Sequence, residues 1–229
     1  MLVSASAEGG EGAKKEKIMA IKQTEVTIKA PNFKTAVFNI IGKTPLVMNK
    51  FSQKAREQMK TKQEAGTQTK KGKAREPKDF NACYEGAFHK SAEGWVGMPS
   101  AAFRKAMISA CRLVGFKMTI SKLALFIEAD GIDKDEGVPL VRIEGNPRPL
   151  EMAVRNETGV ADIRIRPLFE KWSTVLQVRF DADIFTETDI ANLLMRAGLQ
   201  VGIGEGRPDS KRSAGMGWGT FELGGPKKK

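Results

Sequence analysis

A chain of 229 residues with 41% hydrophobic residues is long enough to bury a core, which excludes wholesale disorder. Its 38 Lys and Arg against 27 Asp and Glu leave a net charge of +11, clustered rather than spread, which favours an anionic partner. The two cysteines, Cys83 and Cys111, form no CxxC pair or disulfide framework, and no apolar run reaches the length of a membrane span, so a cytoplasmic protein is expected.

Residues 1–22 are small, polar and glycine-bearing, with no signal-peptide core, and read as a disordered tail. The β-branched runs "TEVTIKA" (24–30) and "TAVFNIIG" (35–42) predict strands. The stretch 43–81 is dense in Lys, Arg, Gln and Thr, with few apolar anchors. A short helix is expected around Ser52–Lys62, followed by a mobile loop carrying Lys70, Lys71, Lys73 and Arg75. In "VGMPSAAFRKAMISACRLVG" (96–115), Ser100 is placed to cap a helix over 100–113. Phe103, Ala106, Met107 and Ala110 give that helix its apolar stripe, while Lys105 and Arg112 share another face.

"LALFIEA" (123–129) predicts a strand, and "DGIDKDEG" (130–137) a solvated acidic turn, because its aspartates miss the calcium-loop positions. No metal or cofactor site is expected. "VPLVRIEG" (138–145) and "ADIRIRPLF" (161–169) read as strands of an inserted hairpin, with Arg164 and Arg166 on one face of the second. "STVLQVRFD" (173–181) alternates like a half-buried strand. Thr186 and Asp189 form a capping box ahead of a helix over 187–197, whose apolar residues are Ile190, Leu193, Leu194 and Ala197, with Gly198 as its stop. "GWGTFEL" (217–223) predicts the last strand, and 224–229 a basic tail.

Without the insertions the order is βαββαβ. This implies an α+β fold with a ferredoxin-like, RRM-like palm: an antiparallel sheet with two helices on one face, a single domain over 23–223.

The segment "VGIGEGRPDSKRSAGMGWGTFEL" (201–223) concentrates glycine and cationic residues. It lacks the GK[ST] of a phosphate-binding P-loop. It also follows a helix and precedes a strand, the reverse of a dinucleotide-binding loop. If 215–221 is extended, Gly215, Gly217 and Gly219 form a bare ribbon that either packs tightly inside the protein or lets a nucleic-acid backbone approach. Gly204, Gly206, Arg207, Lys211, Arg212, Ser213, Gly215 and Gly217 are therefore the expected nucleic-acid contacts, with Lys50, Lys54, Arg104 and Lys105 as further phosphate partners. Trp218 either stacks on a base or is half-buried core.

These residues resemble the RAMP superfamily of CRISPR proteins. "GEGRPDSKRSAGMGWGTFEL" is similar to its glycine-rich signature loop, and "VGMPSAAFRKAMISACR" to the segment that opens the first helix of effector backbone subunits. "NIIGKTPLVMNK" resembles the strand and x-P-L turn of those subunits, and the run Gly202-Ile203-Gly204 with Arg207-Pro208 matches phage-borne RAMP-like proteins. The resemblance spans about residues 24–223. It implies a palm, an inserted web and a thumb hairpin, with a basic insertion over 43–98 and a hairpin insertion over 130–172, subunits repeating helically along a single strand, and Arg164 and Arg166 as nucleic-acid-binding residues touching the strand or the neighbour. Two features depart from cleaving relatives: "VMNKFSQK" holds no aspartate, and the single histidine, His89, sits outside any matching motif. The resulting expectation is a non-catalytic protein that binds single-stranded nucleic acid, RNA ahead of DNA, as a homo-oligomer and with other ribonucleoprotein subunits as possible partners. The alternatives are a phage-encoded binding or assembly protein and a RAMP-type endoribonuclease.

Overall fold

The computed structural model describes residues 28–51, 53–64, 78–155, 159, 161–211 and 214–225. The chain divides into two units, Met1–Ala30 and Pro31–Lys229, and the architecture below belongs to the second. The expected tail over 1–22, most of the expected strand over 24–30 and the basic run 65–77 lie outside the described residues, and 28–30 are not in a strand.

In chain order the first elements are β1 (Phe33–Gly42), β2 (Leu46–Val47), α1 (Gln53–Glu64), α2 (Phe80–Glu85), β3 (His89–Lys90), β4 (Val96–Pro99) and α3 (Ser100–Ala110). Then follow α4 (Met118–Ala124), β5 (Leu125–Ile127), β6 (Gly131–Ile132), β7 (Pro139–Arg142), β8 (Pro147–Arg155), β9 (Ala161–Phe169), β10 (Ser173–Asp181), α5 (Glu187–Arg196) and β11 (Phe221–Leu223). The fold is α+β with antiparallel sheets. Its largest hydrophobic layer lies under a four-stranded sheet of order β11-β1-β10-β5, in which each neighbouring pair is antiparallel.

Period-two alternation sets the two faces of that sheet. Ala36 and Ile40 on β1 and Leu176, Val178 and Phe180 on β10 turn inward, while Val37, Ile41 and Val175 stay exposed. The stripe Phe103, Ala106, Met107 and Ala110 of α3 meets the inner face, together with Ile190, Leu193 and Leu194 of α5. The helix α5 starts where the sequence says it should. The Thr186 hydroxyl accepts from the Asp189 amide, and the Asp189 carboxylate accepts from the Thr186 amide.

Strands from the two stretches expected as insertions combine in the two smaller sheets. One has the order β2-β9-β8 and the other β3-β4-β7-β6, so each draws strands from either side of α3. The inserted hairpin pairs β8 with β9, from Pro147↔Phe169 to Arg155↔Ala161, which corrects the expected pairing of 138–145 with 161–169. The stretch 139–142 is instead β7, held between β4 and β6.

Three further expectations change. Ser100 does not cap α3: Pro99 precedes the helix without a side-chain bond, because β4 runs straight into it. Leu123 and Ala124 are helical rather than extended. Arg104 explains this, since its guanidinium donates to the carbonyls of Lys122 and Leu125 and satisfies the end of α4 where the strand begins. Gly198 does not stop α5. The helix widens into a π turn over Ala197–Val201 and ends at Gly202, whose φ is 71°.

Gly198 lies where that turn presses on β11: a Cβ there would stand 2.1 Å from the Phe221 carbonyl oxygen. Alanine is the better helix former by about 1 kcal/mol, yet Gly198→Ala should lower stability by about 2 kcal/mol. Urea denaturation checks it, and a stabilised variant would mean that β11 yields without cost.

Candidate nucleic-acid interface

The segment after α5 is not a ribbon. Gly202, Gly204, Gly206, Gly215, Gly217 and Gly219 all have φ between 67° and 79°, so the chain turns at each of them, and regular strand begins only at Phe221. The expected extended face of Gly215, Gly217 and Gly219 is therefore corrected.

The glycines serve backbone approach within the protein. A Cβ on Gly219 would lie 1.8 Å from the Ile203 carbonyl oxygen, and one on Gly215 would lie 2.1 Å from that of Arg207. The amides point the same way. Ile203 N–H donates to Gly219 at 3.0 Å, Met216 and Trp218 both donate to Gly206, at 2.7 and 3.2 Å, and Asp209 donates to Val201 at 3.1 Å. The x-P-L turn supplies the outer partners: Gly219 N–H reaches the Pro45 carbonyl at 2.8 Å, and Glu205 N–H the Val47 carbonyl at 3.0 Å. Thr44 and Thr220 hydroxyls close this seam at 2.8 Å. Trp218 is half-buried, with its ring over Gly206.

What the loop offers outward is side chains. Glu205 is held beneath β9, where Arg166 Nε lies 3.1 Å and Arg164 Nη1 4.0 Å from its carboxylate. One carboxylate thus faces two guanidiniums, and each arginine carries five donors in a fixed fork. The arginine face of β9 points at the loop while Ile163 is exposed, so the hairpin presents its cations inward toward Glu205. Lys78 joins the same rim by bonding Asp162 at 2.9 Å. Arg207 folds back on the loop and donates to the Gly204 carbonyl at 3.1 Å. Lys211 is exposed; Arg212 and Ser213 lie outside the described residues.

No family model matches this chain, and no curated protein is significantly similar to it. The remaining assignments rest on geometry alone.

A second tie runs from the loop to α3. Asp209 accepts from Arg112 Nη2 at 2.8 Å and from the Ser109 hydroxyl. The Ser109 bond, with Arg112 beside it, holds this carboxyl below the usual carboxylate range. Lys105 is exposed on the same helix. Arg104 is committed to the end of α4, with its guanidinium 4.8 Å over the Phe126 ring, which moves it from phosphate contact to structural support. The Lys54 side chain lies outside the described residues.

Lys50 needs the largest correction. It is 4% exposed, and its ammonium donates to both oxygens of Asp133, at 2.8 and 3.0 Å, and to Asp135 at 2.7 Å. His89 Nδ1 stands 3.3 Å from the same Asp133. The "solvated" acidic turn is therefore the anionic half of a buried cluster that pins 130–137 to the start of the first insertion. Asp133 also receives the amides of Asp135 and Glu136, each at 2.9 Å, in an Asx-type turn. Burial alone would raise its pKa, but the Lys50 ammonium and these amides win and leave it lowered. Burial likewise opposes the charge on Lys50, yet the bonds to Asp133 and Asp135 leave its pKa raised. For His89 burial dominates and pushes the imidazole down despite Asp133. Sequence offered one signal, an Asp-x-Asp-Glu turn ahead of an apolar strand, but nothing near it pointed to a lysine 83 residues away.

Among the described residues, no group of three or more His, Cys, Asp or Glu is placed to hold a metal, and no helix is long and apolar enough to cross a membrane.

Substitution and pH each check this geometry. Gly217 has φ 73° with open space around a Cβ, so Gly217→Ala should cost only about 1–2 kcal/mol, the left-handed penalty. Gly219→Ala adds the overlap with Ile203 and should cost about 3 kcal/mol or more; equal losses in chemical denaturation would refute the close-approach account. For pH, a folded His89 pKa below the unfolded value of about 6.5 means its contribution is complete above that value and is lost as pH falls toward the folded one. Thermal stability should thus decline from pH 7 to pH 5, and His89→Asn should flatten that window.

Proposed function

We propose that the sheet β11-β1-β10-β5 with α3 and α5 is a ferredoxin-like palm of the RAMP type, and that the protein is a non-catalytic binder of single-stranded nucleic acid. Strand order and connectivity support the palm: β1, α3, β5, β10, α5 and β11 occur in that sequence, with the glycine loop between α5 and β11. The observation that carries the binding reading is the cationic rim of that loop, where Arg164 and Arg166 share Glu205 beside Arg207, Lys211 and Lys78. Because the loop amides named above bond within the protein, phosphates are recognised through side chains. Such binding is sequence-tolerant and strongly dependent on salt. RNA is favoured over single-stranded DNA, and a repeating assembly along the strand follows from the same reading.

A shallow apolar groove favours a second reading, an assembly or protein-interaction role. It is lined by Val114, Asn192, Met195, Arg196, Leu199 and Gln200, on the helical side. Oligomers that keep their size after nuclease treatment would support that role.

Fluorescence anisotropy with a labelled single-stranded RNA tests the first reading. Arg164→Ala with Arg166→Ala should weaken binding at least about tenfold and reduce the log–log salt slope by about 0.7 for each phosphate that is no longer neutralised. Arg207→Ala with Lys211→Ala should act in the same direction. Glu205→Gln, which removes one of the carboxylates beside the two guanidiniums and leaves Asp162 next to Arg164, should strengthen binding about two- to fivefold. Binding indifferent to all three changes would remove the loop rim from the site.

A further inference from the structure

A cleft of about 670 Å³ lies between the outward side chains of β1 and β10 and the sheet of β3, β4, β7 and β6. Asn39, Ile41 and Val175 line one side, and Trp95 stands among the residues of the other. The indole is bedded on backbone. A Cβ would come within 2.6 Å of its six-membered ring from Gly131 and within 2.9 Å from Gly97. Its Nε1 donates to Glu93 at 3.0 Å, which fixes the orientation of the ring. The result is a rigid aromatic surface, half-exposed, at the edge of a cavity large enough for a side chain with its flanking backbone.

Charge decides what that surface suits. The lining carries Glu93, Asp130 and Glu144 against Arg142. Arg142 Nε lies 2.8 Å from Glu144, in a pair whose side chains are 55% and 58% exposed, so the bond is weak and exchangeable. Asp130 is positioned by the Arg142 amide at 2.8 Å. On a chain of net charge +11, this cleft is locally acidic and repels phosphate.

We infer that the Trp95 cleft receives an arginine side chain from a segment of a partner protein. A guanidinium is planar, stacks on an indole face, and meets carboxylates with two parallel N–H donors. Asp130 and Glu144 supply those carboxylates, and Ser173 and Asn39 offer polar groups for the neighbouring backbone. The inference is independent of nucleic-acid binding, which uses the opposite charge on other residues.

The test is a titration of the full ¹⁵N-labelled chain with acetyl-Gly-Arg-Gly-amide, read at the Trp95 indole N–H and the Ser173 and Val175 amides. Saturable shifts are expected, about threefold weaker with the lysine peptide and absent with the citrulline peptide, which keeps the shape and loses the charge. At Ser173 and Val175, Trp95→Ala and the pair Asp130→Asn with Glu144→Gln should each weaken the interaction about fivefold or more. Gly131→Ala keeps every carboxylate but displaces the ring, and should weaken it too. Arg142→Ala, which removes the resident competitor, should strengthen it. The inference fails if the arginine peptide gives no saturable shift, if its affinity is unchanged by loss of both carboxylates, or if adenosine or cytidine occupies the cleft more tightly than the peptide.

Discussion

The structure depends on one seam, where three stretches of backbone come closer than side chains would allow. The Ile203 amide meets Gly219, the Gly219 amide meets Pro45, and the Glu205 amide meets Val47. A Cβ at Gly219 or Gly204 would fall 1.8 or 2.6 Å from a carbonyl oxygen, so these contacts exist only because the residues are glycine. From that seam the other placements follow. It delivers Phe221 to the edge of β1, sets Glu205 under the arginines of β9, and carries Asp209 to the end of α3. The loop thus joins the four-stranded sheet, the hairpin sheet and the helical layer, and glycine is used for joining rather than for exposure.

Much of this was legible in the sequence wherever a period governs burial. The stripes of α3 and α5 and the alternation of β10 could be read because a buried face repeats every 3.6 or 2 residues. The capping box at Thr186 was legible because its chemistry is local. The limits of β9, residues 161–169, also matched. Two misreadings have a different cause: a distant partner overrode the local pattern. Leu123 and Ala124 sit in an apolar run that reads as strand, but Arg104, about twenty residues earlier, caps them as helix. Asp133 sits in a turn that reads as solvent-facing, but Lys50 takes it into the interior. The glycines were noticed, and their cost was correctly taken to need a reason; which backbone they approach is a tertiary fact with no trace in spacing.

Buried ion clusters of the Lys50–Asp133 kind seldom add much net stability, since desolvation consumes most of the attraction. Their usual effect is to penalise wrong arrangements. Here the cluster joins residue 50, at the end of the x-P-L turn, to the acidic turn between β6 and β7 and to His89 on β3. Lys50 places its ammonium between Asp133 and Asp135, and an arrangement that withdrew it would leave Asp133 buried without that partner. The cost of a buried unpaired charge disfavours such an arrangement.

Net charge therefore describes this protein less well than the distribution of charge. Of the cations first expected to meet phosphate, Lys50 is consumed by aspartates and Arg104 by carbonyls, while Arg166 pairs with Glu205 and Arg164 lies between Glu205 and Asp162. Sharing has two consequences that oppose each other. Glu205 holds two long side chains in a defined orientation, which reduces the entropy lost when an anion binds, and it also cancels part of the field the anion would feel. Glu205 faces two guanidiniums and Asp162 stands between Arg164 and Lys78, so three cations meet two carboxylates and the rim keeps a positive excess together with order. A loop whose amides faced outward would have bound phosphate by backbone donors fixed in place. Here the amides of Ile203, Glu205, Asp209, Met216, Trp218 and Gly219 bond within the protein, and the cations beside them are side chains held by Glu205 and Asp162.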